Sequence, residues 1–84
     1  MYKIYEARDG ADLRMKRMKA LAKFLDGRPD GATLADLKKF SVLHFGLVLK
    51  TLDQFLRDMQ FAGVIQVKCL NFFITQAGKR WIEE

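Results

Sequence analysis

Apolar residues recur at helical spacing over the middle of the chain. At about 100° per residue, Phe45, Val48, Leu49, Leu52, Phe55, Leu56 and Met59 fall within about 120° of one another. This is the longest amphipathic pattern in the sequence, and it predicts a helix whose apolar face is the centre of the core. Lys50, Thr51, Gln54, Arg57 and Asp58 lie on the opposite side, with Leu47 and Phe61 as apolar exceptions. Ala62-Gly63 ends the pattern, because glycine takes the left-handed conformation that closes a helix without strain.

Two shorter helical patterns precede it. From Asp12, a reasonable N-cap, the residues Met15, Met18, Leu21, Ala22 and Leu25 form one stripe and Lys16, Lys19 and Lys23 another, opposite it. "DGRPDGA" stops this helix, since Gly27, Pro29 and Gly31 cannot all continue it. Thr33 then caps "TLADLKKF", with Asp36 in the place of the Glu or Gln of a capping box. Leu34, Leu37 and Phe40 of that helix, which is about two turns long, face the core. "SVLHF" connects it to the long helix. Ahead of Asp12, Tyr2, Ile4 and Ala7 alternate weakly and "RDGAD" supplies turn chemistry, so residues 1–11 read as a strand or an ordered arm.

After Gly63 the period changes. "VIQVKC" alternates apolar and polar positions and "NFFIT" is rich in β-branched and aromatic residues, which predicts a hairpin over 64–75 with a tight tip at Leu70-Asn71. Thr75 caps a last helix over 76–84, whose Trp81 and Ile82 pack back. The expected architecture is α+β and mainly α, in one domain over residues 1–84.

Composition narrows the function classes. Half of the 84 residues are hydrophobic, too many for a disordered chain. Fifteen Lys and Arg against ten Asp and Glu leave a net charge of +5, which favours polyanionic partners without choosing among DNA, RNA and an anionic membrane. Cys69 has no partner in the chain for a disulfide, and one His with one Cys makes no zinc site. A reducing, cytoplasmic compartment is expected. The amino terminus lacks the apolar segment of a signal peptide, and no stretch approaches the roughly 18 apolar residues of a membrane span. No Ser-His-Asp set, glycine-rich phosphate loop or carboxylate pair argues for an enzyme, and no cofactor is implied.

The order helix, short helix, turn, long helix, glycine, hairpin, helix resembles a winged helix-turn-helix domain of small prokaryotic, archaeal and viral transcription regulators. Within "LRDMQFAGVI" and "FFITQAGKRWI", the residues Leu56, Met59, Gly63, Val64, Ile65, Ile74, Thr75 and Gly78 occupy the places of the family's Gly-apolar-apolar step and its apolar-Thr-x-x-Gly close. The resemblance covers residues 12–82. Two departures stand beside it. "KKFSVLHFGLVLK" is longer than the commonest family spacing and lacks the usual turn signal, and the wing tip is brief, with Lys68 its one cation.

The resemblance implies sequence-specific binding of double-stranded DNA by a repressor-like regulator, with the third helix in the major groove. Arg57 would fork onto a guanine, Gln54 onto an adenine, and Thr51 would touch a thymine methyl or a phosphate, with Lys50 beside them. Lys38 and Lys39 would meet phosphates or complement the end of the second helix. His44 would donate to a phosphate or simply pack, and Lys68 and Asn71 would carry the wing contact. The densest basic patch, Lys16, Lys19 and Lys23 with Arg14 and Arg17 nearby, lies on a helix that usual docking sets behind the reading helix. Spare aromatics, among them Phe61 and Trp81, fit either a homodimer or a fuller monomer core. A protein-interaction module, favoured by Asp53 and Asp58 on the third helix, and a sequence-neutral replication or partition protein are the rival functions.

Overall fold

The computed structural model describes the backbone of residues 2–46 and 49–84 and the side chains of residues 12–46 and 49–84. The helices are α1 (Tyr2–Asp26), α2 (Leu34–Phe45), α3 (Leu49–Phe61) and α4 (Gln76–Glu83), and the strands are β1 (Ala32–Thr33), β2 (Ile65–Lys68) and β3 (Asn71–Ile74). The strands form one antiparallel sheet in the order β1-β3-β2. The architecture is thus a mainly helical α+β fold. Among the described residues, no helix is long and apolar enough to cross a membrane.

Leu21, Ala22, Leu25, Leu37, Leu52, Phe55, Leu56, Met59, Val64 and Ile65 are buried together, with Phe40, Phe45, Trp81 and Ile82 packed against them. The predicted stripe of α3 accordingly holds from Leu52 to Met59. Three positions assigned to the core lie outside it: Met15, Leu34 and Leu49 are each more than two-fifths exposed. Leu34 and Leu49 are the first residues of their helices, where neighbouring elements do not reach across the apolar stripe, and Met15 lies midway along α1. Leu47 and Val48 lie outside the described residues.

The amino-terminal strand or arm is replaced by helix. α1 is already helical at Tyr2 and runs through Asp9-Gly10 and past Asp12, which is therefore not its cap. A single interior glycine costs a helix only about 1 kcal/mol relative to alanine, too little to stop an element that propagates cooperatively. The third strand of the sheet comes instead from Ala32–Thr33, whose residues pair with Phe72 and Asn71.

α2 is longer than expected, because "SVLHF" is its last turn and not a connection. It ends at Gly46, whose φ of 66° is left-handed and whose N–H reaches back to the carbonyls of Ser41 and Val42. The turn signal missing from the sequence reading is this glycine. It was hidden inside the helical pattern that begins at Phe45.

Thr33 begins α2 with a complete capping box. Its hydroxyl accepts from the Asp36 N–H at 3.2 Å, and the Asp36 carboxylate accepts from the Thr33 N–H at 3.2 Å. Arg28 adds a second donor to that carboxylate at 3.1 Å. The backbone bond from Thr33, above all, holds the Asp36 carboxyl below its ordinary value of 3.8, and Arg28 adds to this. A lowered folded value means that the ionised carboxylate stabilises the fold above pH 3.8, and that this contribution is lost as the pH falls through the lower folded value. Asp36→Asn should therefore lower the thermal midpoint at pH 7 while leaving it little changed at pH 2, a difference that scanning calorimetry at both pH values reads directly.

β2 and β3 pair from Ile65 with Ile74 to Lys68 with Asn71. The tip is Cys69-Leu70, with φ of 50° and 68°, and so lies one residue earlier than predicted. Two positive φ values fit a primed two-residue turn, the form whose twist matches the strands. Cys69 accordingly sits in the turn and not in a strand, and Asn71 opens β3 between Lys68 and Thr33.

The hairpin closes on itself around Thr75. The Thr75 N–H donates to the Val64 carbonyl at 3.1 Å, and its hydroxyl donates to the Gly63 carbonyl at 2.6 Å. The same hydroxyl accepts the Gly78 N–H at 3.0 Å and so caps α4. Gly63, with φ of 78°, ends α3, and the Val64 N–H reaches the Met59 carbonyl at 3.0 Å, the longer bond of a Schellman close.

Candidate nucleic-acid interface

α3 buries Leu52, Phe55, Leu56 and Met59, so its polar residues are turned away from the core. Lys50, Gln54 and Arg57 are exposed and Thr51 is half-buried. These are the groups expected to form a reading surface, and they share one helix face at successive turns.

Acidic partners on α3 itself hold two of them. Arg57 Nε donates to Asp53 Oδ2 at 2.9 Å, and Gln54 Nε2 donates to Asp58 Oδ1 at 2.9 Å. Each pair is four residues apart, the spacing at which helix side chains meet. Asp58 also pairs with Arg14, which reaches over from α1. Both carboxylates are therefore countered within the molecule, Asp53 by Arg57 and Asp58 by Arg14.

α1 contributes more than one arginine. Leu13, Arg14 and Arg17 form one wall of an open cleft of about 490 Å3, and Lys50, Thr51, Gln54 and Phe55 of α3 form the other. The guanidinium carbon of Arg14 lies 5.6 Å from the centre of the Phe55 ring, and that of Arg17 lies 5.7 Å from the centre of the Phe45 ring. In the sequence these arginines stand beside Lys16, Lys19 and Lys23. The lysines part from them in the fold: Lys16 and Lys23 are exposed, and Lys19 Nζ lies 5.5 Å over the Trp81 ring.

The remaining expected residues occupy separate places. His44 is in the last turn of α2, its ring 4.3 Å from that of Phe40, which in turn stacks on Phe24 at 4.6 Å. Packing is the reading this supports. Lys39 and His44 line a second cleft of about 370 Å3 with Arg28 and Asp36. Lys38 and Lys39 flank the exposed Val42 and Leu43 in a shallow groove. Lys68 and Asn71 pair directly across the hairpin next to its tip.

Sequence reasoning missed Asp53 and Asp58 as partners of Arg57 and Gln54, although the four-residue spacing carried the signal. It missed Arg14 and Arg17 as neighbours of α3, for which no local signal exists. No protein-family model, curated protein or solved structure matches this chain.

Proposed function

We propose that the chain is a winged helix-turn-helix domain that binds double-stranded DNA with α3 in the major groove, as a small repressor-like regulator in the cytoplasm. The observation that carries this reading is the polar face of α3, flanked by the α1 arginines and set behind the left-handed turn at Gly46. The sheet order β1-β3-β2 and the two helices between β1 and the hairpin support it. So does the net charge of +5.

The acids on α3 do not weigh against it. An exposed helix ion pair such as Asp53–Arg57 is worth about 0.3–0.5 kcal/mol, whereas a bidentate contact to a base discriminates by about 1–3 kcal/mol. Exchange of Asp53 for a guanine edge is therefore favourable, and until then the carboxylate holds the guanidinium in place. Asp58 does the same for Gln54.

Selection from a random pool of labelled duplexes at about 50 and 200 mM salt, followed by sequencing of the bound fraction, tests the reading. An enriched motif supports a regulator, and a palindromic one adds a paired protein. Arg57→Ala should then weaken binding to the selected site by about 1–3 kcal/mol and relax preference at one position. A variant that binds as tightly and as selectively as the parent removes Arg57 from the reading surface.

One observation favours the protein-interaction reading instead. Phe61 at the end of α3 is 96% exposed, and Leu43 and Leu70 are also largely open to solvent. An interface built on them would be nearly indifferent to salt, while DNA binding weakens with a slope of about 0.9 per phosphate neutralised. Salt-sensitive binding without an enriched motif would point to a sequence-neutral role.

A further inference from the structure

The cleft between α1 and α3 holds three cations that differ in what already occupies them. Arg14 is committed to Asp58. Arg17 pairs with no carboxylate among the described residues, and its Nε is buried without a hydrogen-bond partner. Among the side chains described, Lys50 likewise forms no ion pair and no carboxylate lines the cleft. A buried N–H with no acceptor is unfavourable, and so is the gathering of several positive charges in one cleft. An anion bearing several acceptor atoms would relieve both.

The placement of the donors selects the kind of anion. Arg17 lines the α1 wall, while Lys50 and Thr51, an ammonium and a hydroxyl bearer, line the α3 wall. A carboxylate offers two coplanar oxygens and satisfies donors on one side best. A phosphate is tetrahedral and accepts from opposite walls at once, and the planar guanidinium over Phe45 is the group best suited to fork onto it.

We propose that Arg17, Lys50 and Thr51 form a phosphate site in the α1–α3 cleft, and that it holds one phosphate of the DNA backbone beside the reading helix. The source of that phosphate rests on the DNA-binding reading above, while the chemistry of the site does not. α1 then shares in gripping the duplex with α3, in place of standing behind it. Because the contact is to the backbone, it adds affinity equally on every sequence and fixes the register of α3 without specifying a base.

The test is anisotropy of a labelled random-sequence duplex with the wild type, Lys50→Gln and Arg17→Gln across about 50 to 200 mM salt. Each variant should weaken binding several-fold at low salt and reduce the salt slope by about 0.9. Lys50 is exposed, so K50Q decides the matter where R17Q fails to fold, which a thermal scan establishes. Unchanged affinity and slope in K50Q, with a wild type that binds, overturn the phosphate site and leave the DNA reading standing.

A wild type that binds no duplex would mean that the DNA reading has failed, and inorganic phosphate then decides the fate of the cleft. A shift of the Arg17 Nε–H resonance on phosphate addition, weakened in K50Q, keeps it as a site for free phosphate. No shift in the wild type overturns it.

Discussion

Gly78→Ala destabilises the fold by about 3 kcal/mol, the upper part of the range for overpacking a filled site. Gly78 is buried in the first turn of α4, and a β-carbon there would overlap the Val64 carbonyl oxygen and come within 2.7 Å of Ile74 Cγ1. The carbonyl cannot retreat freely, because it already accepts the Thr75 N–H. The opposing effect is the higher helix propensity of alanine, worth about 1 kcal/mol. A clash with backbone therefore wins over propensity. Urea unfolding measures the difference, and a variant as stable as the parent or more stable would mean that α4 does not press on the start of the hairpin. A domain of this size has a total stability of roughly 4–13 kcal/mol, so the expected loss leaves little margin.

Leu52→Ala should cost a comparable amount, about 2–5 kcal/mol, by leaving a cavity under α3. Leu52 is 1% exposed and belongs to the same buried cluster as Leu21, Leu37 and Leu56. Its side chain points away from the polar face that carries Thr51 and Gln54. If α3 binds DNA as a rigid element, affinity should fall only in proportion to the folded fraction, and should return where the variant is held folded by low temperature. Leu43→Ala is the matched control, since Leu43 is 76% exposed and its truncation should stay within about 0.5 kcal/mol of the parent. Equal losses in the two variants would show that the α3 stripe is not the centre of the core.

The parts of the fold that could be read in advance are those with a period or a fixed chemistry. α3 shows its apolar stripe over three turns, and Gly63 and Thr75 each meet a local demand: a left-handed close and a cap. The parts that could not be read depend on contacts far apart in the chain. β1 is two residues long, too short to show alternation, and exists because Phe72 and Asn71 lie beside it. The boundary between α2 and α3 was obscured because Phe45 continues the spacing of α3 while belonging to α2. The candidate site divides along the same line. Lys50, Thr51, Gln54 and Arg57 follow from one helical wheel, whereas Arg14 and Arg17 join them only through the packing of α1 beside α3.

Thr33 is at once the strand residue that pairs with Asn71 and the residue that caps α2. In mechanical terms the hairpin and α2 therefore share a pivot. Asn71 also pairs with Lys68, so a force on the hairpin tip passes across one ladder rung to Thr33 and into the first turn of α2. A tilt of the hairpin on meeting a partner would be delivered as a rotation at the start of α2, geared through Asn71 and Thr33.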